Sequence, residues 1–289
     1  IMWQSHSAER MATLRTLGVT GGQHLGRSIE PPASLLKNNM RWYAENIATD
    51  FYAEYHRYRP DRIQEWSFLQ AKAAHRKDPQ SKEPFKRRPS LSNPEWLRAV
   101  HDRLVASARR FSPYRPLFYD LADESGIANL AAFWDFDFSD ESLAEMRSWL
   151  KDRYGSLASL NTQWGSAFAS WDDVTPDSTD EAMKRSDGNY SSWSDHKEWM
   201  DVSFSRALRM GVEAVQSVDP GAYVAIAGGQ MPGWGGYDYA RLAPELDLVE
   251  IYDVAGNNDV ARSMNPRAVQ ILSSNGPVED ETHRLWQHW

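Results

Sequence analysis

The sequence predicts an α/β protein whose parallel sheet closes as a (β/α)8 TIM barrel. From about residue 100 onward, apolar runs of strand length alternate with helical patterns. Such alternation is typical of strands that are buried on both faces of a parallel sheet. Polar and glycine-rich clusters follow the apolar runs, and barrel proteins place their functional groups at the carboxyl ends of the strands. A doubly wound sheet is the alternative that fits the same alternation.

Four apolar runs are the predicted strands of the second part of the chain. They are residues 117–121, 222–227, 248–252 and 268–272. Ser139 and Ser156 are predicted N-caps of two helices, because a serine hydroxyl satisfies free N–H groups of the first turn. A longer helix is predicted around residues 195–218 from the helical spacing of its apolar side chains.

The first hundred residues give weaker patterns. Residues 10–17 fit a helix, residues 18–20 fit the start of a strand, and residues 42–55 fit either element. The stretch near 72–90 is basic and contains proline, and we interpret it as an exposed loop. We therefore expect one catalytic barrel domain over residues 1–289, lacking most of the first strand and the eighth unit.

Composition and charge argue against several classes of protein. With 32 Lys and Arg against 40 Asp and Glu, the net charge of −8 gives no basic surface for nucleic acid. No run of 18 apolar residues predicts a membrane segment. The absence of cysteine excludes thiolate catalysis and zinc held by sulfur. The 13 Trp and 12 Tyr offer flat apolar faces that suit sugar rings.

Several motifs of other enzyme classes are missing. The sequence contains no G-x-S-x-G, no phosphate-binding loop, no G-x-G-x-x-G and no H-E-x-x-H, and its eight His are scattered. We therefore expect no metal centre and no organic cofactor. The start of the sequence has no signal-peptide pattern, and the compartment stays open. Assembly into a homo-oligomer is also left open.

Carboxylates at the predicted strand ends are the candidate catalytic groups. Asp123 and Glu124 follow one apolar run, and Glu250 lies inside another, where an acid is costly to bury unless it is paired, protonated or functional. Two carboxylates in one cavity can cleave a glycosidic bond, one as acid and the other as nucleophile or base. The structural alternatives are a helix-start acid for Glu124 and a salt bridge for Glu250.

A long segment resembles a known enzyme family. Residues 149–168 read W-L-K-D-R-Y-G-S-L-A-S-L-N-T-Q-W-G-S-A-F. They are similar to the pattern W-L-x-x-R-Y-G-[ST]-L-x-x-L-N-x-x-W-G-x-A-F of family 42 glycoside hydrolases. Residues 120–126 resemble the family's D-N-E-Y-G strand end, and residues 247–253 resemble its sixth barrel strand. The resemblance implies a retaining clan A barrel enzyme that acts on β-galactosides and related sugars, with Glu124 as general acid/base.

Two departures from the family pattern concern the site itself. Asp123 stands in place of an asparagine, so it accepts but cannot donate a hydrogen bond to a sugar hydroxyl. The family's nucleophile follows the seventh strand, where residues 272–275 read L-S-S-N. Glu250, one strand earlier, is the predicted substitute, with Glu279 and Glu281 as alternatives, and the missing carboxylate leaves an inverting mechanism open. A barrel that binds glycan without cleaving it is the competing hypothesis.

Further side chains are predicted to contact the oligosaccharide or polysaccharide substrate. They are polar or aromatic residues at or beyond the predicted strand ends: Asp123, Trp134, Gln230, Trp234, Tyr237, Tyr252 and Asp253. Trp149, Trp164 and Trp199 lie instead on periodic helix faces and are predicted to belong to the core.

Overall fold

The computed structural model describes residues 7–49, 68–128, 133–229, 235–252 and 256–272, and this part of the chain forms one parallel sheet of six strands. The strands are β1 (Gly21–Leu25), β2 (Arg41–Glu45), β3 (Tyr119–Asp123), β4 (Val224–Gly229), β5 (Leu248–Ile251) and β6 (Val269–Leu272). They lie side by side in sequence order, and every neighbouring pair is parallel.

The sequential strand order identifies the sheet as a partial barrel. A doubly wound sheet reverses its strand order at a switch point, whereas a barrel adds each new strand beside the previous one. Within the described residues no such reversal occurs. The α/β barrel class is therefore confirmed for these six strands, and an eight-stranded closed barrel stays a prediction.

Helices return the chain between the strands. Within the described residues the α-helices are α1 (Ala8–Thr16), α2 (Ala33–Lys37), α3 (Phe68–Lys77), α4 (Pro94–Phe111), α5 (Asp140–Tyr154), α6 (Leu157–Trp164), α7 (Thr179–Met183), α8 (Ser191–Gln216), α9 (Tyr239–Leu242) and α10 (Asn257–Met264). None of them is long and apolar enough to cross a membrane.

The predicted helix starts are confirmed by their hydrogen bonds. The Ser139 hydroxyl accepts from the N–H of Ser142 at the start of α5, and the Ser156 hydroxyl accepts from the N–H of Ser159 at the start of α6. Gly155 is the C-cap of helix α5. Its φ of 70° is positive, a conformation that glycine adopts without steric cost because it has no Cβ.

The main core lies between the sheet and the helices α4 and α8. Leu104 and Phe111 of α4 and Phe204 and Leu208 of α8 are completely buried in it. A second apolar cluster contains Trp164 and Trp199 with the partly buried Trp149 packed against it, as predicted for these three tryptophans.

The predicted strands are confirmed, but two of the four end later than the apolar runs. The third strand runs to Asp123 and the fourth to Gly229, because both residues still pair with the neighbouring strand: Asp123 with Ala227, and Gly229 with Ile251. Strand β2 resolves part of the ambiguity over residues 42–55, of which residues 50–55 lie outside the described part.

The interpretation of residues 72–90 as an exposed loop is wrong. Helix α3 covers the first third of this stretch, and a 3-10 helix covers Glu83–Phe85. Arg87 is fully buried, and its Nε donates to the carbonyl of Ile127 at 3.1 Å, and its Nη1 to the carbonyl of Pro89 at 2.7 Å. These two carbonyls accept from two of the N–H groups of the guanidinium, which lowers the cost of burying its charge.

Candidate active site

The candidate site lies at the carboxyl ends of three adjacent strands, with Gly228 at its centre. Strand β4 separates β3, which Glu124 follows, from β5, which carries Glu250. The N–H of Gly228 donates to Oε2 of Glu250 at 2.8 Å. On the other side, a Cβ on Gly228 would lie 2.9 Å from Cγ of Glu124 and 2.7 Å from Oδ1 of Asp123. The predicted carboxylates therefore converge on one residue.

Gly228 cannot carry a side chain without moving these groups. Its φ of 62° lies in the left-handed region, which other residues rarely adopt, and no free space surrounds its Cα on the side of Asp123 and Glu124. The absence of a side chain at Gly228 therefore lets Asp123 and Glu124 approach the backbone of β4.

Glu124 itself has a strained backbone. Its φ of 48° is left-handed, which costs on the order of 1–3 kcal/mol for a residue other than glycine and is found most often at functional sites. The N–H of Glu124 donates to the carbonyl of Ala227 at 2.9 Å, and the Tyr252 hydroxyl donates to Oε1 of Glu124 at 3.0 Å. The side chain is half-buried, so it is held in place and still open to a ligand.

The electrostatics of the site favour protonated groups. Burial raises the pKa of Glu250, the charges of Asp123 and Glu124 raise it further, and the N–H of Gly228 opposes both effects. Burial and the charge of Glu124 also raise the pKa of Tyr252, which keeps its hydroxyl a donor. Beneath them, burial raises the pKa of Asp120, with a further contribution from Glu45.

This arrangement suits acid/base chemistry with two carboxyl groups. Two neighbouring carboxylates repel each other, and this repulsion favours a state in which one of them is protonated. Such a pair supplies one proton donor and one carboxylate, the two groups that glycosidic cleavage needs. Within the described ranges, no three His, Asp or Glu side chains are placed to hold a metal ion.

The structure brings together only some of the predicted site residues. Asp123, Glu124, Glu250 and Tyr252 meet around Gly228. Trp134 is half-buried beside Phe85, Phe136 and His75, and its contact with sugar stays a prediction. Five others lie outside the described residues: Gln230, Trp234, Asp253, Glu279 and Glu281.

The predicted position of Tyr237 on the substrate rim is wrong. Its side chain is completely buried, stacks on Phe204 at a ring distance of 6.4 Å and meets Tyr239 edge-on at 5.6 Å. Two glycines with a left-handed backbone, Gly235 and Gly236, precede it.

Sequence reasoning missed the residues beneath the carboxylates. They are Glu45, Asn46 and Asp120: Asn46 donates to both carboxylates, and its Oδ1 accepts from the backbone N–H of Asp123. Asp120 offered a signal, because it is an acid inside an apolar run, as Glu250 is. Asn46 gave none beyond its place close to a strand end.

Asp201 holds the loop that follows β4. It lies on α8 and its Oδ1 accepts from the N–H of Tyr237 at 2.6 Å, and it also bonds the N–H of Gly236. A side chain at Gly236 would overlap Ile127, so this loop packs on the loop that follows Glu124. Burial raises the pKa of Asp201 to about 6, with a contribution from the charge of Asp238.

This raised pKa predicts a pH-dependent gain in stability for Asp201→Asn. The folded state binds the Asp201 proton more tightly than the unfolded state, so wild-type stability falls as the pH rises from about 4 to about 6. Asparagine keeps the acceptor and never ionises. We expect the variant to be more stable by about 1–3 kcal/mol at pH 7.5 and similar to wild type at pH 4.

Urea unfolding at the two pH values measures this difference. The control is Glu213→Gln, which changes an exposed carboxylate on the same helix and should shift stability little at either pH. Equal effects of Asp201→Asn at pH 4 and pH 7.5 would contradict the electrostatic explanation.

Comparison with known proteins identifies the family. The model of glycoside hydrolase family 42, described as beta-galactosidase, matches residues 119–274, which is more than half of the chain. The beta-galactosidase BbgII of Bifidobacterium bifidum is 26% identical over 157 residues, covering 51% of this chain and 21% of that protein. The chain therefore spans about a fifth of this curated relative.

Solved structures share the fold at low sequence identity. The cold-adapted beta-galactosidase from Rahnella sp. R3 aligns with a TM-score of 0.62 at 15% identity, over 92% of this chain and 42% of that one. The catalytic domain of the beta-amylase from Paenibacillus polymyxa aligns with a TM-score of 0.62 at 16% identity, over 98% and 89%. These likenesses support the barrel architecture, and the family match covers the strands that carry Glu124 and Glu250. The chain belongs to glycoside hydrolase family 42, the beta-galactosidase family.

Proposed function

We propose that the chain hydrolyses the O-glycosidic bonds of β-galactoside-like oligosaccharides or polysaccharides with retention of configuration. Glu124 is the general acid/base and Glu250 is the nucleophile. The observation that carries this proposal is the convergence of both side chains on Gly228, with an N–H bonded to Glu250 and a hydroxyl bonded to Glu124.

The reaction proceeds in two displacements. Glu124 donates its proton to the leaving oxygen while a carboxylate oxygen of Glu250 attacks C1, so that the C1–O bond breaks and a glycosyl ester forms. Glu124, now ionised, takes a proton from water, whose oxygen attacks C1 and releases Glu250 as a carboxylate.

The neighbouring groups support these roles. The N–H of Gly228 stabilises negative charge on Glu250, which has to be ionised when it attacks. The Tyr252 hydroxyl orients the carboxyl group of Glu124. Burial raises the pKa of Glu250, so this group is ionised for the attack only above the usual carboxylate range.

A second candidate is a catalytically silent barrel that binds glycan in the same cleft. The raised pKa of Glu250 favours it, because a protonated carboxyl group cannot attack C1. The lack of a carboxylate in residues 272–275 favours it as well.

Release of product from aryl and oligomeric β-galactosides separates the two functions. We expect the chain to release the phenol from 2,4-dinitrophenyl and phenyl β-D-galactoside, and reducing ends from galactooligosaccharides. A binding protein would retain the oligosaccharide in isothermal titration without releasing either product, and Glu250→Gln would barely change its affinity. Phenyl α-D-galactoside serves as the control for anomeric selectivity, and a glycosidase of the proposed kind leaves it intact.

A further inference from the structure

Asn46 lies beneath the candidate acid/base and is not among the residues that the reaction uses directly. It directly follows β2, the strand that pairs with β3, and its side chain is half-buried. We propose that Asn46 is a positioning residue for Glu124. The proposal rests on the proposed acid/base function of Glu124 and extends it to a residue that sets the direction of that side chain.

The side chain and the backbone N–H of Asn46 form hydrogen bonds with residues of β2, of β3 and of the segment after β2. Its Oδ1 accepts from the N–H of Asp123 at 2.8 Å and also from the hydroxyl of Thr49. Its Nδ2 donates to Oε1 of Glu45 at 3.3 Å, and its backbone N–H donates to Oδ2 of Asp120 at 3.2 Å. Both ends of the amide are therefore fixed, and its oxygen points at the residue before Glu124.

The backbone of Asn46 explains why a side chain bonds to β3 here. The N–H groups of the consecutive residues Ile47 and Ala48 both donate to carbonyls of β3, at 3.0 and 2.9 Å, whereas in a regular parallel pair only alternate residues bond to the same neighbour. The irregularity begins at Asn46, whose φ of 57° is left-handed and whose N–H donates to the carboxylate of Asp120 at 3.2 Å. Its amide oxygen then serves as an acceptor for β3.

Two successive amides at the end of β3 are held from opposite sides. Asn46 binds the N–H of Asp123 from the side of β2, and Ala227 binds the N–H of Glu124 from β4 at 2.9 Å. The peptide planes before and after Asp123 are thereby fixed. Since these planes set the direction in which Glu124 leaves the strand, loss of the Asn46 side chain should let the proton donor move.

Asn46→Gly tests this role, because glycine accepts the left-handed backbone and removes only the side chain. The readout is kcat/KM for phenyl and for 2,4-dinitrophenyl β-D-galactoside. Dinitrophenolate leaves without protonation, so its release does not depend on where the acid lies. We expect a loss of about 10–10²-fold for the phenyl substrate and little change for the dinitrophenyl substrate.

Asn39→Gly is the matched control. Asn39 precedes the same strand, has a left-handed φ of 51° and is exposed, so its replacement should leave both rates unchanged. Thr49→Val removes only the hydroxyl that bonds Oδ1 of Asn46, and a smaller loss confined to the phenyl substrate is expected. Equal losses on both substrates, or no loss on either, would overturn the proposal.

Hydrogen exchange at the Asp123 amide separates this proposal from the proposed function. We expect slow exchange in wild type and in Asn39→Gly, and faster exchange in Asn46→Gly. Unchanged exchange in Asn46→Gly refutes the positioning contact whatever the activity. If wild type hydrolyses neither galactoside, the proposed function fails and takes the positioning role with it, while faster exchange would still establish the contact.

Discussion

Replacing Glu124 by glutamine is expected to lower kcat/KM for phenyl β-D-galactoside by about 10²–10⁴-fold, because the amide cannot give a proton to the leaving oxygen. The shape of the side chain and its acceptor for the Tyr252 hydroxyl are retained. The loss for 2,4-dinitrophenyl β-D-galactoside should be much smaller, since this phenolate needs no proton.

Steady-state kinetics on the two substrates measure this difference. Glu95→Gln, which changes an exposed carboxylate in the first turn of α4, is the control and should match wild type. A wild-type rate of Glu124→Gln on the phenyl substrate would end the assignment of Glu124 as the acid.

Replacing Glu250 by glutamine is expected to abolish hydrolysis of both substrates. An amide oxygen does not form the bond to C1, and a better leaving group does not compensate for a missing nucleophile. Loss of dinitrophenyl galactoside hydrolysis in Glu250→Gln, but not in Glu124→Gln, would therefore identify Glu250 as the nucleophile and Glu124 as the acid.

The Glu250→Gln variant should remain folded. Burial raises the pKa of Glu250, so its ionised form costs stability once the pH is above the usual carboxylate range. Glutamine carries no charge and keeps an acceptor for the N–H of Gly228. We expect a melting temperature at neutral pH equal to or above that of wild type. Retained dinitrophenyl hydrolysis would show that the nucleophile is another group, with Glu279 and Glu281 next in line.

The predictable part of this protein is the part encoded by local patterns. The apolar run at residues 248–252 predicts β5 because a strand buried on both faces has to be apolar throughout. Glu250 stands out within it for the same reason. Ser139 and Ser156 predict helix starts because a capping bond joins residues three apart.

The unpredicted part depends on contacts between distant residues. Arg87 has basic sequence neighbours, which predict an exposed loop. It is buried instead, and its Nε donates to the carbonyl of Ile127, 40 residues away. Asn46 meets Asp123 across 77 residues. The position of Tyr237 shortly after a strand predicts a place on the rim of the site, but its side chain is buried and stacks on Phe204. No local pattern encodes these pairings.

The configuration of the glycosyl azide formed by two alanine variants tests the central claim most directly. Azide is a small anion that fits the space of a removed carboxylate. With 2,4-dinitrophenyl β-D-galactoside, Glu124→Ala should form the glycosyl–Glu250 ester and then yield β-galactosyl azide, whereas Glu250→Ala should yield α-galactosyl azide by direct attack from the opposite face. NMR of the products distinguishes the two anomers. Formation of α-galactosyl azide by Glu279→Ala or Glu281→Ala, and not by Glu250→Ala, would contradict the pairing of Glu124 with Glu250.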